Sequence, residues 1–448
     1  MGILKSLNRE QKEAVGLLQI GTFLEYFDLM LYVHMAVLLN ELFFPQTDPH
    51  TAALLTAFAF CSTYVLRPFG ALVFGYIGDN VGRKTTVILT TMMMSVSCII
   101  MANLPTYAQI GITATWVITI CRVMQGLSSM GEVMSAQVYM TEITKPPIQY
   151  PAVSFISAAC AAGGVAALGV ATLVTTAGFN WRIAFWIGAV IALVGSVART
   201  RLRETPEFVE KSNAYKNRKS VRLAAEKSGK TFAESFNDTE HEKIKIKNVV
   251  SFFAANCGCP LCFYLIYIYF NPTLKNTFGY ASEDIIFHNF ILVILHFATL
   301  LFLAITSYKI HPLKILRIIG CIFLGLAVCL PSLVNWATSY YHIFALQAAI
   351  VFFCLNTSPA EAIFIKHFPV LKRMTATSLL YSLTRAITYI ITSFGLVYLT
   401  EYFGHYGLWL IMLPVTLSYL WAINHYALLE NVNLPKLTAI FRKKSFVG

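Results

Sequence analysis

Twelve apolar runs, each long enough to cross a lipid bilayer, leave this chain few ways to fold. They can be drawn at about 17–44, 51–78, 85–103, 110–140, 148–177, 183–203, 248–275, 284–308, 313–333, 340–365, 374–400 and 406–429. A bilayer core of roughly 30 Å needs about 20 helical residues at about 1.5 Å each. Inside that core no water satisfies a backbone amide or carbonyl, so each run must bond its own groups as a helix. The 57% hydrophobic and 12% charged content over 448 residues leaves too little polar surface for a water-soluble body of this length. The expected fold is an all-α membrane protein with twelve transmembrane helices.

Six runs precede a hydrophilic segment, 204–247, and six follow it. This predicts an N-terminal unit 1–203, a linker 204–247 read as a solvated tether, and a C-terminal unit 248–448 ending in a short basic tail. With the N-terminus on the cytoplasmic side, all but five of the 34 Lys and Arg residues fall in cytoplasmic segments. The exceptions are Arg182 and Lys275 outside, and Arg67, Arg122 and Arg385 within runs. That asymmetry is the positive-inside pattern, and it places both termini in the cytoplasm. The net charge of +12 is therefore topological, and no nucleic-acid partner is expected, because the basic residues sit in separated loops. All ten cysteines lie in apolar runs, so no disulfide framework is implied. No second ligand group follows Cys257, Cys259 and Cys262, so neither metal nor cofactor is expected. No nucleophile–base pairing or phosphate loop points to an enzyme.

Ionisable groups inside a membrane are costly enough to be functional candidates. Glu25, Asp28 and Tyr32 recur at helical spacing and share one face of the first span. Arg122, Gln125, Ser129 and Glu132 make a similar stripe through the fourth. Asn256, Tyr264, Tyr267 and Tyr269 mark the seventh span, Asn356 and Glu361 the tenth, and Arg385 the eleventh. Pairings such as Asp28 with Arg67, or Glu361 with Arg385, would account for some of these as structural ion pairs. His34 and His296 read as hydrogen-bonded structural residues. Glu25, Asp28, Arg122 and Glu132 are the expected proton-coupling groups, since a nearby arginine can tie a carboxyl's protonation to the arrival of an anion. Tyr32, Arg122, Gln125, Asn256, Tyr264, Tyr267, Asn356, Glu361 and Arg385 are the expected substrate contacts.

Between the second and third runs stands Gly75-Tyr-Ile-Gly78-Asp79-Asn-Val-Gly82-Arg83-Lys84, a short charged turn. Asp79 can accept hydrogen bonds from amides at a neighbouring helix start. The turn resembles the loop between helices 2 and 3 of the major facilitator superfamily. Three further strings resemble its metabolite:proton symporters, which include proline/betaine, citrate, 2-oxoglutarate and shikimate carriers. They are Gly21 to Tyr32, Arg67-Pro68-Phe69-Gly70 leading into the turn, and Arg122 to Glu132. Trp181 to Phe185, followed by Arg203-Glu204-Thr205-Pro206-Glu207-Phe208, adds a fourth. The resemblance implies two six-helix bundles with helices 1, 4, 7 and 10 around a central cavity. It also implies a latch of Asp79, Arg83 and Glu142. In the second half, Ser307 to Lys314 lacks the Asp and Gly-Arg of the motif, so the latch there is expected to differ.

These features together predict a proton-coupled symporter of a small organic metabolite, a carboxylate or zwitterion, working by alternating access. It is expected to be monomeric and multi-pass in a bacterial inner membrane, in contact with lipid, protons and its small-molecule substrate. Two alternatives stay open on the sequence: a proton-antiport exporter of a metabolite, siderophore or drug, and a transport-inactive ligand sensor.

Overall fold

The computed structural model describes residues 9–43, 49–176, 180–200, 204–210, 212–214, 244–280 and 282–434. These residues form twelve helical passes and, among them, no strand. The first half contains α1 (Arg9–Phe43), α2 (Pro49–Asn80), α3 (Arg83–Asn103), α4 (Ile112–Ile143), α5 (Gln149–Thr176) and α6 (Arg182–Arg199). The second half is less regular. Its first pass, α7, runs through Ile246–Asn256 and Gly258–Tyr264, a π-helical turn at Leu265–Tyr269, and Asn271–Asn276. Then come α8 (Ser282–Lys309) and α9 (Pro312–Trp336). The next pass, α10, has two pieces, Tyr340–Phe352 and Glu361–Lys366. The last two are α11 (Val370–Ile390, extended past a π turn by Leu396–Phe403) and α12 (Trp409–Leu429).

Packing repeats at an offset of six. In the first half α1 packs on α5, α2 on α4, and α3 on α6. In the second α7 packs on α11, α8 on α10, and α9 on α12. Two six-helix bundles result, joined where α2 meets α11 and α5 meets α8. Six helical spans among the described residues, Arg83–Asn103 and Pro312–Trp336 among them, are long and apolar enough to cross a membrane by length and composition alone. Large apolar side chains such as Phe69, Trp116, Phe302 and Trp336 stand exposed on the outer faces. A bilayer makes that surface favourable, because lipid tails take the place of a protein partner.

The apolar core is divided unequally along the membrane axis. One cluster runs through both bundles, from Leu18, Tyr139 and Ile156 to Phe364, Phe368 and Tyr426. A second belongs to the first bundle alone, around Phe43, Met101, Ile118 and Phe185. The first-bundle members of the shared core, such as Leu18, Val87, Tyr139 and Tyr150, lie toward the end that carries the α2–α3 turn, so the bundles pack against each other there.

One pass departs from the sequence expectation of an unbroken run at 340–365. Regular helix stops at Phe352 and resumes at Glu361 after a 3-10 turn, Ser358–Ala360. Pro359 has no amide to donate, and its ring would crowd the carbonyl four residues earlier. The freed backbone is satisfied locally. Ser358 N–H donates to Asn356 Oδ1 (2.8 Å), and Ser154 Oγ of α5 donates to the Ser358 carbonyl (2.8 Å). Such a break persists in a membrane only where protein or a cavity covers it.

Candidate functional site

The turn after α2 is the hub of contacts between the bundles. Asp79 accepts the amides of Met374 (3.2 Å) and Thr375 (2.8 Å) in the first turns of α11, and the Thr375 hydroxyl (2.6 Å). Negative charge is stabilised there by the positive end of the helix dipole. Arg83, fully buried, donates to Asp79 Oδ1 (2.7 Å), Glu142 Oε1 (3.3 Å) and the Val370 carbonyl (2.7 Å). Its guanidinium also lies 4.9 Å from the Phe208 ring. Glu142 accepts a second arginine, Arg373 (3.1 Å), and the Thr205 hydroxyl (2.5 Å). A carboxylate between two arginines satisfies both charges where water is excluded.

Close approach of α2 to α11 depends on glycine. A Cβ on Gly75 would lie 2.7 Å from Thr375 Cα. Gly82, at φ 146, begins α3 in a region L side chains rarely adopt. Room there admits the Glu204 carboxylate, which accepts the amides of Arg83 (2.9 Å) and Lys84 (3.2 Å) and caps the helix. Residues 204–208 of the segment read as a tether are thus built into the hub. Across from it, the α8–α9 turn meets the first bundle through rings, with His311 at 5.8 Å from Tyr150 in an edge contact. The charged partner of the motif comes instead from Arg373, in the first turn of α11.

Beyond the shared core lies a cavity of about 150 Å³, lined by α1, α2, α4, α5 and α7, α8, α10, α11. Its wall carries two buried arginines stacked on tyrosines: Arg67 over Tyr64 (4.3 Å) and Arg385 over Tyr381 (3.5 Å). Stacking leaves Arg67 Nε and Nη2 and Arg385 Nη1 with no hydrogen-bond partner. Opposite charge is present in Glu361, 1% exposed, whose Oε1 is also unpartnered. Rings of Tyr64 and Tyr389 meet across the bundle interface at 4.5 Å, and Phe263 continues the series to Tyr389 (6.1 Å) and Tyr267 (4.9 Å). Unsatisfied buried donors cost about 1–3 kcal/mol each, and more when charged, so this wall offers donors that an anionic group can satisfy.

Of the residues singled out in the sequence, Asn256, Tyr267, Asn356, Glu361 and Arg385 face this cavity. Tyr264 is buried away from it. Arg122 and Gln125 also lie off its wall; Arg122 Nη1 donates to Gln125 Oε1 (3.1 Å), and Gln125 Nε2 reaches Met101 Sδ (3.6 Å). The side chains of Glu25, Asp28, Tyr32, His34 and Glu132 lie outside the described residues. Glu361 and Arg385 share the cavity without forming a direct ion pair. Arg67 and His296, read as structural from sequence, both line the cavity, while Tyr269 bonds His405 in the 3-10 turn before α12 (2.7 Å).

Tyr26, Tyr64, Gln137 and Tyr389 also line the cavity and were not singled out. A signal existed for some of them. Tyr64 and Arg67 are three apart, and Tyr381, Arg385 and Tyr389 recur every four residues, so each set shares a helix face. Arg373 and Glu204 carried no comparable signal, because a charge at a helix end usually faces water.

Comparison with known proteins bears on this arrangement. The model of the sugar (and other) transporter family matches residues 16–435. The inner membrane metabolite transport protein YhjE of Escherichia coli is 35% identical over 218 residues, 47% of this chain and 49% of that protein. A proline/betaine transporter of Salmonella typhimurium is 31% identical over 204 residues, 44% and 41% of the two chains. The matched stretch thus spans under half the length of these curated relatives. Among solved structures, the proton:xylose symporter XylE superposes with a TM-score of 0.69 over 96% of this chain and 99% of that one. The human organic anion transporter MFSD10 does so at 0.66 over 93% and 100%. Sequence identities of 16% and 14% make these likenesses of fold.

Proposed function

The chain belongs to the sugar (and other) transporter family of the major facilitator superfamily, and from that premise we propose that it is a proton-coupled symporter of a small carboxylate or zwitterion. Support comes above all from the cavity wall, where, among the described residues, two buried guanidinium groups hold unpartnered donors and Glu361 Oε1 has no hydrogen-bond partner. A substrate carboxylate would satisfy the arginines, and a cationic end would find the tyrosine faces. Relatives named as proline/betaine transporters favour the same substrate class.

Alternating access would proceed by rocking 1–203 against 248–448 around this cavity, with 204–247 tethering them. Asp79, Arg83 and Glu142 would hold the cytoplasmic gate closed until substrate and proton are both aboard. Glu25, Asp28, Arg122 and Glu132 remain proposed coupling groups in α1 and α4. The Lys and Arg distribution supports both termini in the cytoplasm, and the bacterial relatives support an inner membrane location. Since one chain forms a complete cavity, a monomer would suffice.

Purified protein in liposomes tests this directly. With an inward proton gradient, labelled glycine betaine, proline or citrate should accumulate above its external concentration, and a protonophore should abolish the accumulation. Exit of preloaded substrate in exchange for entering protons would instead establish an exporter. Binding without any flux would establish a sensor.

A further inference from the structure

Glu361 stands at the point where α10 resumes after its break, and its side chain is sealed from bulk water. Among the described residues no ion pair reaches it, and Oε1 accepts no hydrogen bond. Its surroundings are few. Thr357 offers a hydroxyl, already shared with Asn256 Oδ1 (3.2 Å). From α11 it feels Arg385 and Tyr381, from α7 Cys259, and from α12 Tyr419 and Tyr426. α4 and α5, packed on the same segment, present Gln137 and Cys160 to the cavity, and α8 presents His296. α9 packs against the 3-10 turn that precedes Glu361 and contributes no residue to the cavity wall. The second guanidinium of the wall, Arg67 of α2, has no interaction with Glu361 among the described groups, which leaves Arg385 as the permanent cation acting on this carboxyl.

That geometry makes the two side chains interdependent. An ionised Glu361 is supported at a distance by the positive field of Arg385. Arg385 Nη1 is the donor left open to an anion. Once a carboxylate binds there, the field at Glu361 is cancelled, and among the described groups acting on it an ionised carboxyl has no other counter-charge.

We propose that Glu361 carries the coupling proton, binding it when a substrate carboxylate occupies Arg385 and releasing it when that carboxylate leaves. A proton from the outer aqueous phase forms an O–H bond at the carboxyl and no substrate bond breaks; on the inner side the same O–H bond breaks to water. The inference rests on the symport reading and moves the proton from the acids of α1 and α4 to α10. A metal cation in the same place would sit beside a fixed guanidinium, which disfavours it.

Two measurements test it on the full-length protein. In weakly buffered detergent solution with a pH indicator, glycine betaine should draw about one proton per bound molecule into wild type and under about a tenth of that into Glu361→Gln, which still binds. If both proteins take up protons equally, Glu361 is not the carrier although symport stands; if wild type binds with no uptake, the symport reading falls as well. The second measurement needs no ligand. Arg385→Gln removes the field permanently, so at neutral pH its infrared spectrum should gain a protonated-carboxyl band that vanishes in Arg385→Gln/Glu361→Gln. A spectrum unchanged by the second substitution overturns the proposal.

Discussion

Asp79 of α2 accepts both the backbone amide and the hydroxyl of Thr375, at 2.8 Å and 2.6 Å, so one carboxylate joins the two bundles at the start of α11. The other carboxylate oxygen, Oδ1, accepts Arg83 (2.7 Å), which ties the contact to the rest of the hub.

Replacing Asp79 with Asn keeps one acceptor and removes the charge. A charge-assisted bond is worth about 1.5–3 kcal/mol, so the closed state should lose roughly ten- to a hundredfold in population. Hydrogen exchange at the Met374 and Thr375 amides should accelerate, and gradient-driven uptake should fall. Lys309→Ala and Lys314→Ala, in the turn that lacks the motif, should change uptake far less.

Gly75→Ala would press a methyl into the α11 backbone, whereas Gly70→Ala would press one into the Leu127 carbonyl within the first bundle. Overpacking typically costs about 1–3 kcal/mol. The expected outcomes differ: Gly75→Ala shifts gate opening, read by alkylation of a cavity cysteine, with little change in Tm. Gly70→Ala lowers Tm.

Glu142→Gln leaves Arg83 and Arg373 facing each other without their shared anion. Breaking a buried charge network from one side costs about 3–5 kcal/mol. Thermal unfolding should therefore begin markedly earlier, and Arg373→Met in the same chain should recover part of the loss by relieving its repulsion with Arg83, which keeps Asp79 as a partner.

Arg385→Lys keeps the charge but loses the planar fork and the stack on Tyr381. Substrate affinity should drop by roughly ten- to a hundredfold, as measured by calorimetry. The effect of Arg67→Lys should be smaller if the carboxylate docks chiefly on Arg385; equal losses would indicate a bidentate site spanning both bundles.

Stability should also respond to pH at the α8–α9 turn. Burial, with Lys314 adding repulsion and Glu430 opposing it, holds the His311 imidazole below its ordinary 6.5. The folded state then prefers the neutral ring, and the unfolded chain takes up the proton first, so stability falls as pH drops through about 6.5. His311→Gln should flatten that part of the Tm–pH curve. An unchanged slope would count against the ring's role.

Legibility in the sequence varied with the kind of constraint. The run at 340–365 was visible as apolar, but its break depended on Tyr419 and Ser154 being present to receive the freed backbone. Asp79 was readable as an acceptor for helix-start amides because its turn is short and the acid has few other places to go. Arg373 was not, because only the approach of α11 to α4 and the 204–208 stretch turns a loop charge into a buried one.

By itself the sequence determined the helical class and the number of passes, because a membrane imposes length and hydropathy rules locally along the chain. It also singled out five of the cavity's polar residues, since a polar group in an apolar helix is conspicuous at its own position. Tertiary structure alone decided which of those groups meet: Arg385 stacks on Tyr381 instead of pairing with Glu361, while Arg122 turns to Gln125 away from this cavity. Electrostatic partners are chosen by distance across helices, and no one-dimensional pattern encodes that distance.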